Sequence, residues 1–247
     1  MKRIGQIGIL FIIIISMVGC GKSKDGKKEI VVGISPDYPP YESLKNNDEI
    51  EGFDIDVMHA LITSMNEQGG KYKVSFEKMS FDTIITSVNI GQIDLGMSGF
   101  SYDKKRRIGW SNAYTQSRQV ILVNENSKIK SVSDLKGKKV GAQLGSTCEK
   151  AANDIRGASV TTMKDVKVLV ETLHADGLDA LVLDDAVAKK YVAGGNYTML
   201  EKPLVEEEYR IITKEKGNEK LLSDLNKAID SFVKTDAYQK LKEKWGV

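Results

Sequence analysis

The sequence predicts an α/β fold with mostly parallel strands, because short apolar runs alternate with amphipathic ones along most of the chain. Three runs rich in β-branched residues have the length and the polar flanks of buried strands: 30–34, 119–123 and 179–183. Three stretches carry apolar residues at the i, i+3, i+4, i+7 spacing of a one-sided helix: 57–65, 166–173 and 221–232. We therefore expect helices packed against sheets whose strands are largely buried.

The composition is that of a folded globular protein, since 41% of the 247 residues are hydrophobic and 28% are charged. That length suffices for one large domain or for two lobes of ordinary size. The formal net charge of +2 gives no basis for nucleic-acid binding, so we expect none. The two cysteines, Cys20 and Cys148, and the two histidines, His59 and His174, form no recognisable metal-binding pattern. The sequence therefore predicts neither a metal nor another cofactor.

The N-terminus has the features of a secretory signal. Lys2 and Arg3 precede an apolar run over residues 7–15, which is shorter than the ~20 apolar residues that span a bilayer. The run leads into Gly19-Cys20, and this ending resembles a bacterial lipobox, in which the cysteine is lipidated. We predict a signal peptide at 1–19 and a lipid-anchored tether at 20–29; an uncleaved anchor or a plain signal remains open. Each alternative places the rest of the chain outside the cytoplasm, at the cell membrane if it is anchored.

Two segments combine restricted backbone with aromatic or acidic groups. Residues 33–42 end a predicted strand in a loop whose prolines restrict the backbone, and this loop carries Tyr38 and Tyr41. Residues 52–56 read Gly-Phe-Asp-Ile-Asp and open a predicted helix, with Asp54 as a candidate N-cap. Because α/β folds bind ligands at the carboxyl ends of their strands, the first segment is a candidate binding loop.

Five segments, taken in order, resemble the family 3 extracellular solute-binding proteins, which bind polar amino acids for ABC importers. They are Tyr-Pro-Pro-Tyr-Glu at 38–42, Gly-Phe-Asp-Ile-Asp at 52–56, the stretch from Gly99 to Arg106, Asp-Leu-Lys-Gly-Lys-Lys-Val-Gly at 134–141 with Gly-Ser-Thr at 145–147, and an ending with Tyr238 and Lys-Trp-Gly at 244–246. No single segment is diagnostic, but their order makes the resemblance specific. It extends from about Ile30 to the C-terminus.

The resemblance implies a type II periplasmic-binding-protein fold, in which two α/β lobes are joined by two hinge strands and the ligand cleft lies between the lobes. Polar residues before the strand predicted at 119 place one hinge at 114–118, and an acidic stretch before Ile211 places the other at 206–210. The predicted lobes are 30–113 with 211–247 for lobe one, and 119–205 for lobe two.

The resemblance also implies a binding site. Arg106 would pair with the α-carboxylate of the ligand, because a guanidinium matches a carboxylate in a bidentate way. Ser101 and the backbone of Gly99 would add hydrogen bonds to that carboxylate. Thr147, in a loop that opens a helix, would reach it from lobe two. Asp184 would hold the α-ammonium group.

The ligand side chain would meet a different set of residues. Tyr38 and Phe81 would sandwich it, and Gln143 would line the pocket at a position that varies in the family. Ser35 stands where several binders of basic amino acids carry an acid, which disfavours lysine or arginine as the ligand. The sequence does not name the amino acid, and glutamine, arginine and cystine are its candidates.

Some of these assignments have rivals in the sequence. Arg106 lies two residues closer to the following Trp-Ser pair than is usual in the family, so Arg107 and Lys104 compete with it. Asp185 competes with Asp184, which is also suited to capping a helix.

We expect a binding protein rather than an enzyme: a monomeric extracytoplasmic lipoprotein that captures a polar amino acid by hinge closure and delivers it to the membrane subunits of an ABC importer. One alternative is a dehydratase-like enzyme on the same fold, which requires a general acid in the cleft. Glu149 is the candidate acid, but its spacing from Ser146 is that of a capping box. A ligand-sensing surface lipoprotein is the other alternative.

Overall fold

A computed structural model describes residues 26–247. The predicted signal peptide at 1–19, the lipid attachment site Cys20 and the first part of the tether lie outside the described residues. No helix in the described part of the chain is long and apolar enough to cross a membrane.

The elements alternate between strands and helices, as the sequence predicts. In the first part of the chain they are β1 (Lys28–Ile34), β2 (Asp37–Tyr38), β3 (Glu42–Leu44), β4 (Ile50–Glu51), α1 (Phe53–Glu67), β5 (Tyr72–Lys78), α2 (Phe81–Ile90), β6 (Leu95–Gly96) and β7 (Gly109–Asn124). A short 3-10 helix (Val132–Leu135) follows, and then β8 (Lys139–Gln143), α3 (Thr147–Asn153), β9 (Ser159–Met163), α4 (Val166–His174), β10 (Ala180–Asp184), α5 (Asp185–Val192) and β11 (Tyr197–Met199). The last elements are β12 (Val205–Thr213), α6 (Glu219–Phe232) and α7 (Asp236–Trp245).

The main sheet consists of two parallel halves joined by an antiparallel pair. Its strand order is β5-β1-β6-β12-β7-β10-β8-β9, with β11 also pairing with β7. In the first half β1 lies parallel to β5 and β6, and in the second half β8 lies parallel to β9 and β10. The first half belongs to lobe one and the second to lobe two. The predicted α/β class and the two-lobe fold are confirmed.

The two strands that join the lobes run side by side. Residues 114–118 lie in the middle of β7, and residues 206–210 lie in β12, opposite them in one antiparallel ladder. The sequence placed both stretches just before a strand, and this was wrong, because β7 begins at Gly109 rather than Gln119, and β12 at Val205 rather than Ile211. Pairing of the two crossings satisfies their backbone hydrogen bonds, which extends each strand through the polar stretch.

The predicted apolar stripes form the core. The residues of the three stripes are buried: Val57, Leu61, Ile62 and Met65 in α1, Val166, Leu169, Val170 and Leu173 in α4, and Leu221, Leu225, Ala228, Ile229 and Phe232 in α6. Each helix therefore covers the sheet with the face that the sequence predicts.

The start of α1 differs from the sequence prediction. Asp54 is not the N-cap, because α1 begins at Phe53 and its N-cap is Gly52, with φ of 146°. A Cβ on Gly52 would lie 2.0 Å from the carbonyl oxygen of Tyr41, so only glycine fits. Asp54 is instead buried in lobe one, where it accepts a hydrogen bond from the hydroxyl of Tyr114 at 2.8 Å.

Candidate ligand-binding site

A small cavity lies between the lobes, and the structure brings all the predicted ligand-binding residues to its wall. The predicted residues that line it are Tyr38, Phe81, Gly99, Ser101, Arg106, Gln143, Thr147 and Asp184. Five further residues that were not among the predicted ligand contacts also line it: Ser98, Ser146, Cys148, Val182 and Leu183. The cavity volume is only about 10 Å³, because side chains of the two lobes contact each other across it. An amino acid can therefore enter only when the lobes separate.

Arg106 reaches the cavity from the loop after β6. Its Nη2 donates to the carbonyl oxygen of Gly145 in lobe two at 2.8 Å, and its guanidinium carbon lies 5.9 Å from the centre of the Phe100 ring. Its Nη1 is buried and has no hydrogen-bond partner among residues 26–247. Burial lowers the pKa of Arg106, although a guanidinium stays charged in proteins. The rivals Arg107 and Lys104 are exposed, so Arg106 is the cation that lines the cavity.

Asp184 ends β10 and is 4% exposed. The hydroxyl of Tyr38 donates to its Oδ2 at 2.5 Å, and the backbone N–H of Asp184 donates to the same hydroxyl at 3.1 Å. Its Oδ1 is buried without a hydrogen-bond partner in the described part of the chain. Burial and then the negative charge of Glu207 raise the pKa of Asp184 to about 7. Asp184 is the N-cap residue of α5 by position, but its side chain makes no capping hydrogen bond.

The rival Asp185 lies away from the cavity. Its Oδ2 contacts Arg118 Nη2 at 2.8 Å and Lys189 Nζ at 3.1 Å. Burial acts to raise the pKa of Asp185, but the hydrogen bonds from these two cations outweigh it and lower the pKa. Asp185 is therefore already paired, whereas the adjacent Asp184 keeps a free oxygen.

The two predicted aromatic residues lie on the cavity wall in different surroundings. Tyr38 stacks on Tyr41 with ring centres 6.1 Å apart, and its hydroxyl is bound to Asp184. Phe81 begins α2 and stacks on Phe100 with ring centres 4.6 Å apart. Both rings are thus held by other aromatic rings and present rigid apolar surface to the cavity.

Gln143 connects the lobes through Asp37, an acid that sequence reasoning missed. Gln143 Nε2 donates to Asp37 Oδ2 at 3.1 Å, and the backbone N–H of Val166 donates to the same oxygen at 2.8 Å. Ser35 Oγ donates to Asp37 Oδ1 at 2.7 Å. Burial raises the pKa of Asp37. The sequence contained a signal for this acid. Asp37 lies two positions after Ser35, which stands where several binders of basic amino acids carry an acid.

Ser101 and Thr147 share a hydrogen-bond partner, Glu207, that was not predicted from the sequence. Glu207 Oε2 accepts from Ser101 Oγ at 2.7 Å and from Thr147 Oγ1 at 3.1 Å. Thr147 Oγ1 also accepts from Gln119 Nε2 at 3.0 Å. The available signal was the run of three acids at 206–208, because alternate residues of a strand point to opposite faces and one of the three had to point inwards.

The turn before α3 forms only one of the two hydrogen bonds of the predicted capping box. Ser146 Oγ accepts from the backbone N–H of Glu149 at 3.1 Å. Glu149 Oε2 accepts from the backbone N–H of Gly145 at 2.6 Å rather than from that of Ser146. This hydrogen bond gives Glu149 a structural partner and leaves the dehydratase alternative without support from its geometry.

A pair of buried acids lies beneath the cavity in lobe one. Ser98 Oγ donates to Glu42 Oε1 at 2.6 Å, and Glu42 and Asp54 are both fully buried. Burial raises the pKa of Asp54 to about 7, and burial together with the charge of Asp54 raises the pKa of Glu42 well above its usual range. Glu42 therefore holds its proton to higher pH than an exposed glutamate does.

The cavity combines a buried donor and a buried acceptor that have no hydrogen-bond partner in the described part of the chain. Arg106 Nη1 offers a cationic N–H group, and Asp184 Oδ1 offers a carboxylate oxygen. These groups are complementary to the α-carboxylate and the α-ammonium group of an amino acid. No cluster of three or more His, Cys, Asp or Glu side chains suited to a metal ion occurs within residues 26–247.

The chain is similar to known binding proteins over nearly its whole described length. Residues 30–247 match the sequence profile of the bacterial extracellular solute-binding proteins, family 3. The arginine-binding extracellular protein ArtP of Bacillus subtilis (strain 168) is 30% identical over 242 residues, which cover 93% of this chain and 92% of that protein.

Solved structures agree with the sequence comparison. An ancestral arginine-binding protein bound to arginine has a TM-score of 0.80 and 34% identity, covering 88% of this chain and 97% of that one. An ancestral amino acid-binding protein, a precursor of cyclohexadienyl dehydratase, has a TM-score of 0.79 and 32% identity, covering 88% and 95%. These relatives are named for binding rather than for catalysis. The chain belongs to the family 3 bacterial extracellular solute-binding proteins and has their two-lobe fold.

Proposed function

We propose that this protein captures a polar amino acid in the cavity between its lobes and delivers it to an ABC importer. The observation that carries the proposal is that Arg106 Nη1 and Asp184 Oδ1, which belong to residues on opposite sides of the cavity, are both buried and have no hydrogen-bond partner among residues 26–247. An amino acid supplies a carboxylate for the first and an ammonium group for the second. Charge-assisted hydrogen bonds of this kind contribute roughly 1.5–3 kcal/mol each.

Capture proceeds by closure of the lobes about hinges at 114–118 and 206–210. Contacts across the cleft support a closed state: Arg106 reaches Gly145, and Tyr38 reaches Asp184. A ligand held by Arg106 from lobe one and by Asp184 from lobe two favours the closed state, because only there do both groups reach it. The membrane subunits of the importer then recognise the closed, monomeric protein.

The protein acts outside the cytoplasm, held to the cell membrane by a lipid on Cys20. The basic start, the short apolar run and the Gly19-Cys20 ending support this part of the proposal. Mass spectrometry of the protein from its native membrane is the test, with Cys20→Ala as the matched variant. A Cys20→Ala protein that stays membrane-bound, or a mature N-terminus other than Cys20, contradicts the anchor. Loss of amino-acid uptake when the protein is removed separates transport from ligand sensing.

The ligand is tested by thermal unfolding of refolded protein against the common amino acids and cystine. Unfolding and refolding first removes any ligand that copurified. A ligand at a hundredfold its Kd stabilises the folded state by about 2.7 kcal/mol. For a chain of this size the expected rise in Tm is about 5–10 °C. A rise with one or a few amino acids supports the proposal, and no rise with any of them contradicts it.

A further inference from the structure

Glu207 on β12 joins the two lobes through one carboxylate oxygen. Its Oε2 accepts from Ser101 Oγ in lobe one at 2.7 Å and from Thr147 Oγ1 in lobe two at 3.1 Å. Its neighbours Glu206 and Glu208 are exposed, because successive side chains of a strand point to opposite faces. Glu207 is thus the acid of this run that reaches the cleft.

The direction of these hydrogen bonds follows from the chemistry of the groups. A carboxylate accepts hydrogen bonds and does not donate them, whereas a hydroxyl carries a single proton. Ser101 and Thr147 therefore both direct their protons to Glu207 and keep only lone pairs for a ligand. Thr147 Oγ1 accepts from Gln119 Nε2 at 3.0 Å, so the amide oxygen of Gln119 points elsewhere. That oxygen is buried without a hydrogen-bond partner within the described residues, which adds one more acceptor.

Asp184 supplies an independent acceptor at the same cavity. It is 4% exposed, it lines the cavity, and its Oδ1 has no hydrogen-bond partner among the residues that the structure describes. The negative charge of Glu207 is felt at Asp184, where it adds to burial in raising the pKa of the carboxyl group. The carboxylate of Asp184 and the hydroxyls of Ser101 and Thr147 thus present acceptors at the cavity wall, and Glu207 and Gln119 lie directly behind the two hydroxyls.

The charges at the cavity do not cancel. In the described part of the chain, Arg106 is the one cation on the cavity wall, whereas Asp184 lines it and Glu207 binds two of its hydroxyl groups. Lys104 and Lys150 line one outer groove beside Glu207, and both are exposed and screened by water. Arg118, Lys189 and Arg210 line the other groove beside Glu207, where their ion-pair contacts are with Asp185 and Glu208. A zwitterionic amino acid adds no net charge, so it brings no counter-charge to the partly buried Glu207 behind the cavity wall. A ligand with a second cationic group supplies one.

We propose that Glu207 is a specificity-determining residue that makes the cleft select amino acids with a cationic side chain over neutral ones of the same shape. The inference rests on the proposed function and names the ligand class of the same site. It differs from the expectation drawn from Ser35, because the acid that favours a cationic ligand here is Glu207 rather than an acid at position 35. Ser35 Oγ donates to Asp37 Oδ1 at 2.7 Å, so a buried acid is present beside Ser35.

The test compares two ligand pairs that differ in charge but little in size: L-arginine with L-citrulline, and L-lysine with L-glutamine. Isothermal titration of the refolded protein gives Kd for each ligand in the wild type and in Glu207→Gln. The matched control is Glu206→Gln, which removes the same charge from the same strand at an exposed position. We expect the wild type to prefer the cationic member of at least one pair by tenfold or more. Glu207→Gln should reduce this ratio at least tenfold, and Glu206→Gln should leave it within about twofold.

Each other outcome overturns a defined part of the argument. If the wild type binds the neutral member as tightly, or if Glu207→Gln keeps the wild-type ratio, the inference is wrong. If the wild type responds to other amino acids but to neither arginine nor lysine, the inference is wrong and the proposed function stands. If it binds no amino acid, the proposed function itself is wrong. The wild-type ratios decide the ligand class even where Glu207→Gln does not fold.

Discussion

The cleft face and the outer face of the paired strands β7 and β12 differ in whether their acidic residues have cationic partners. The outer face borders a groove of about 660 Å³, where two acids are paired with cations. Asp185 contacts Arg118 at 2.8 Å and Lys189 at 3.1 Å, and Glu208 contacts Arg210 at 2.8 Å. These two acids therefore have cationic partners.

On the cleft face the acids lack such partners. Within residues 26–247, the side-chain hydrogen bonds to Asp184 and Glu207 come from hydroxyl groups and none comes from Lys or Arg. Asp184 and Asp185 are adjacent in sequence, and so are Glu207 and Glu208, yet each pair is divided between the two faces. The proposed ligand site is thus marked by a missing counter-charge rather than by an acid as such.

Replacement of Arg106 should have the largest effect on binding. Arg106→Ala removes the Nη1 hydrogen bond to the ligand carboxylate and the Nη2 hydrogen bond to Gly145 across the cleft, and roughly 1.5–3 kcal/mol for each bond gives at least a hundredfold rise in Kd. Arg107→Ala is the control, because it also removes an arginine, but from an exposed position outside the cavity. Isothermal titration with the best ligand measures both. Equal losses in the two variants, or a loss only in Arg107→Ala, would refute the assignment of Arg106.

Replacing Asp184 and Asp185 separately tests whether the acid without a cationic partner is the one that binds the ligand. Asp184→Asn should raise Kd by about ten- to a hundredfold, because the ammonium group loses an ionised partner. Asp185→Asn should leave Kd nearly unchanged and lower the free energy of unfolding by at most about 1 kcal/mol, since its partners Arg118 and Lys189 are half exposed. Titration and urea unfolding measure the two effects. Weaker binding in Asp185→Asn alone would reverse the assignment.

The affinity should also depend on pH through Asp184. The pKa of this carboxyl group is raised to about 7, so below pH 7 it must lose a proton before it can bind an ammonium group as a carboxylate. Kd should therefore rise by up to tenfold for each pH unit below 7 and level off above it. Titrations between pH 5.5 and 8.5 measure the slope, and Asp184→Asn should flatten it. A wild-type Kd that is constant over this range contradicts the role of an ionised Asp184.

The buried acids beneath the cavity should give the smallest effect, on stability alone. Burial raises the pKa of Glu42 in the folded protein, whereas in the unfolded chain this group ionises above pH ~4.3, so the wild type loses stability as pH rises above that value. Glu42→Gln carries no ionisable group, and its stability relative to the wild type should increase by about 1 kcal/mol or more between pH 5 and pH 8. Urea unfolding at the two pH values tests this. A relative stability that falls as pH rises shows that Glu42 is ionised in the fold.

Much of the architecture was predictable because hydrophobic period and motif order are local features of the chain. The stripes of α1, α4 and α6, the strands near 30–34 and 179–183, and the eight residues that converge on the cavity all follow from such patterns. Sequence patterns failed to predict element boundaries that depend on contacts with residues distant in the chain. The strand starts at Gly109 and Val205 depend on the pairing of β7 with β12, and the N-cap at Gly52 depends on the close approach of Tyr41.

The residues therefore set the α/β class, the family and the set of side chains around the cleft, since these depend on residue types and their spacing. The sequence did not reveal which of two adjacent acids lacks a counter-charge. It also did not reveal that Ser35 donates a hydrogen bond to Asp37, or that Ser101 and Thr147 donate hydrogen bonds to Glu207. Those features depend on burial and on contacts between residues far apart in the chain, such as Ser101 and Glu207, which are 106 positions apart. Folding alone brings such groups within hydrogen-bond distance and removes the water that would otherwise screen their charges.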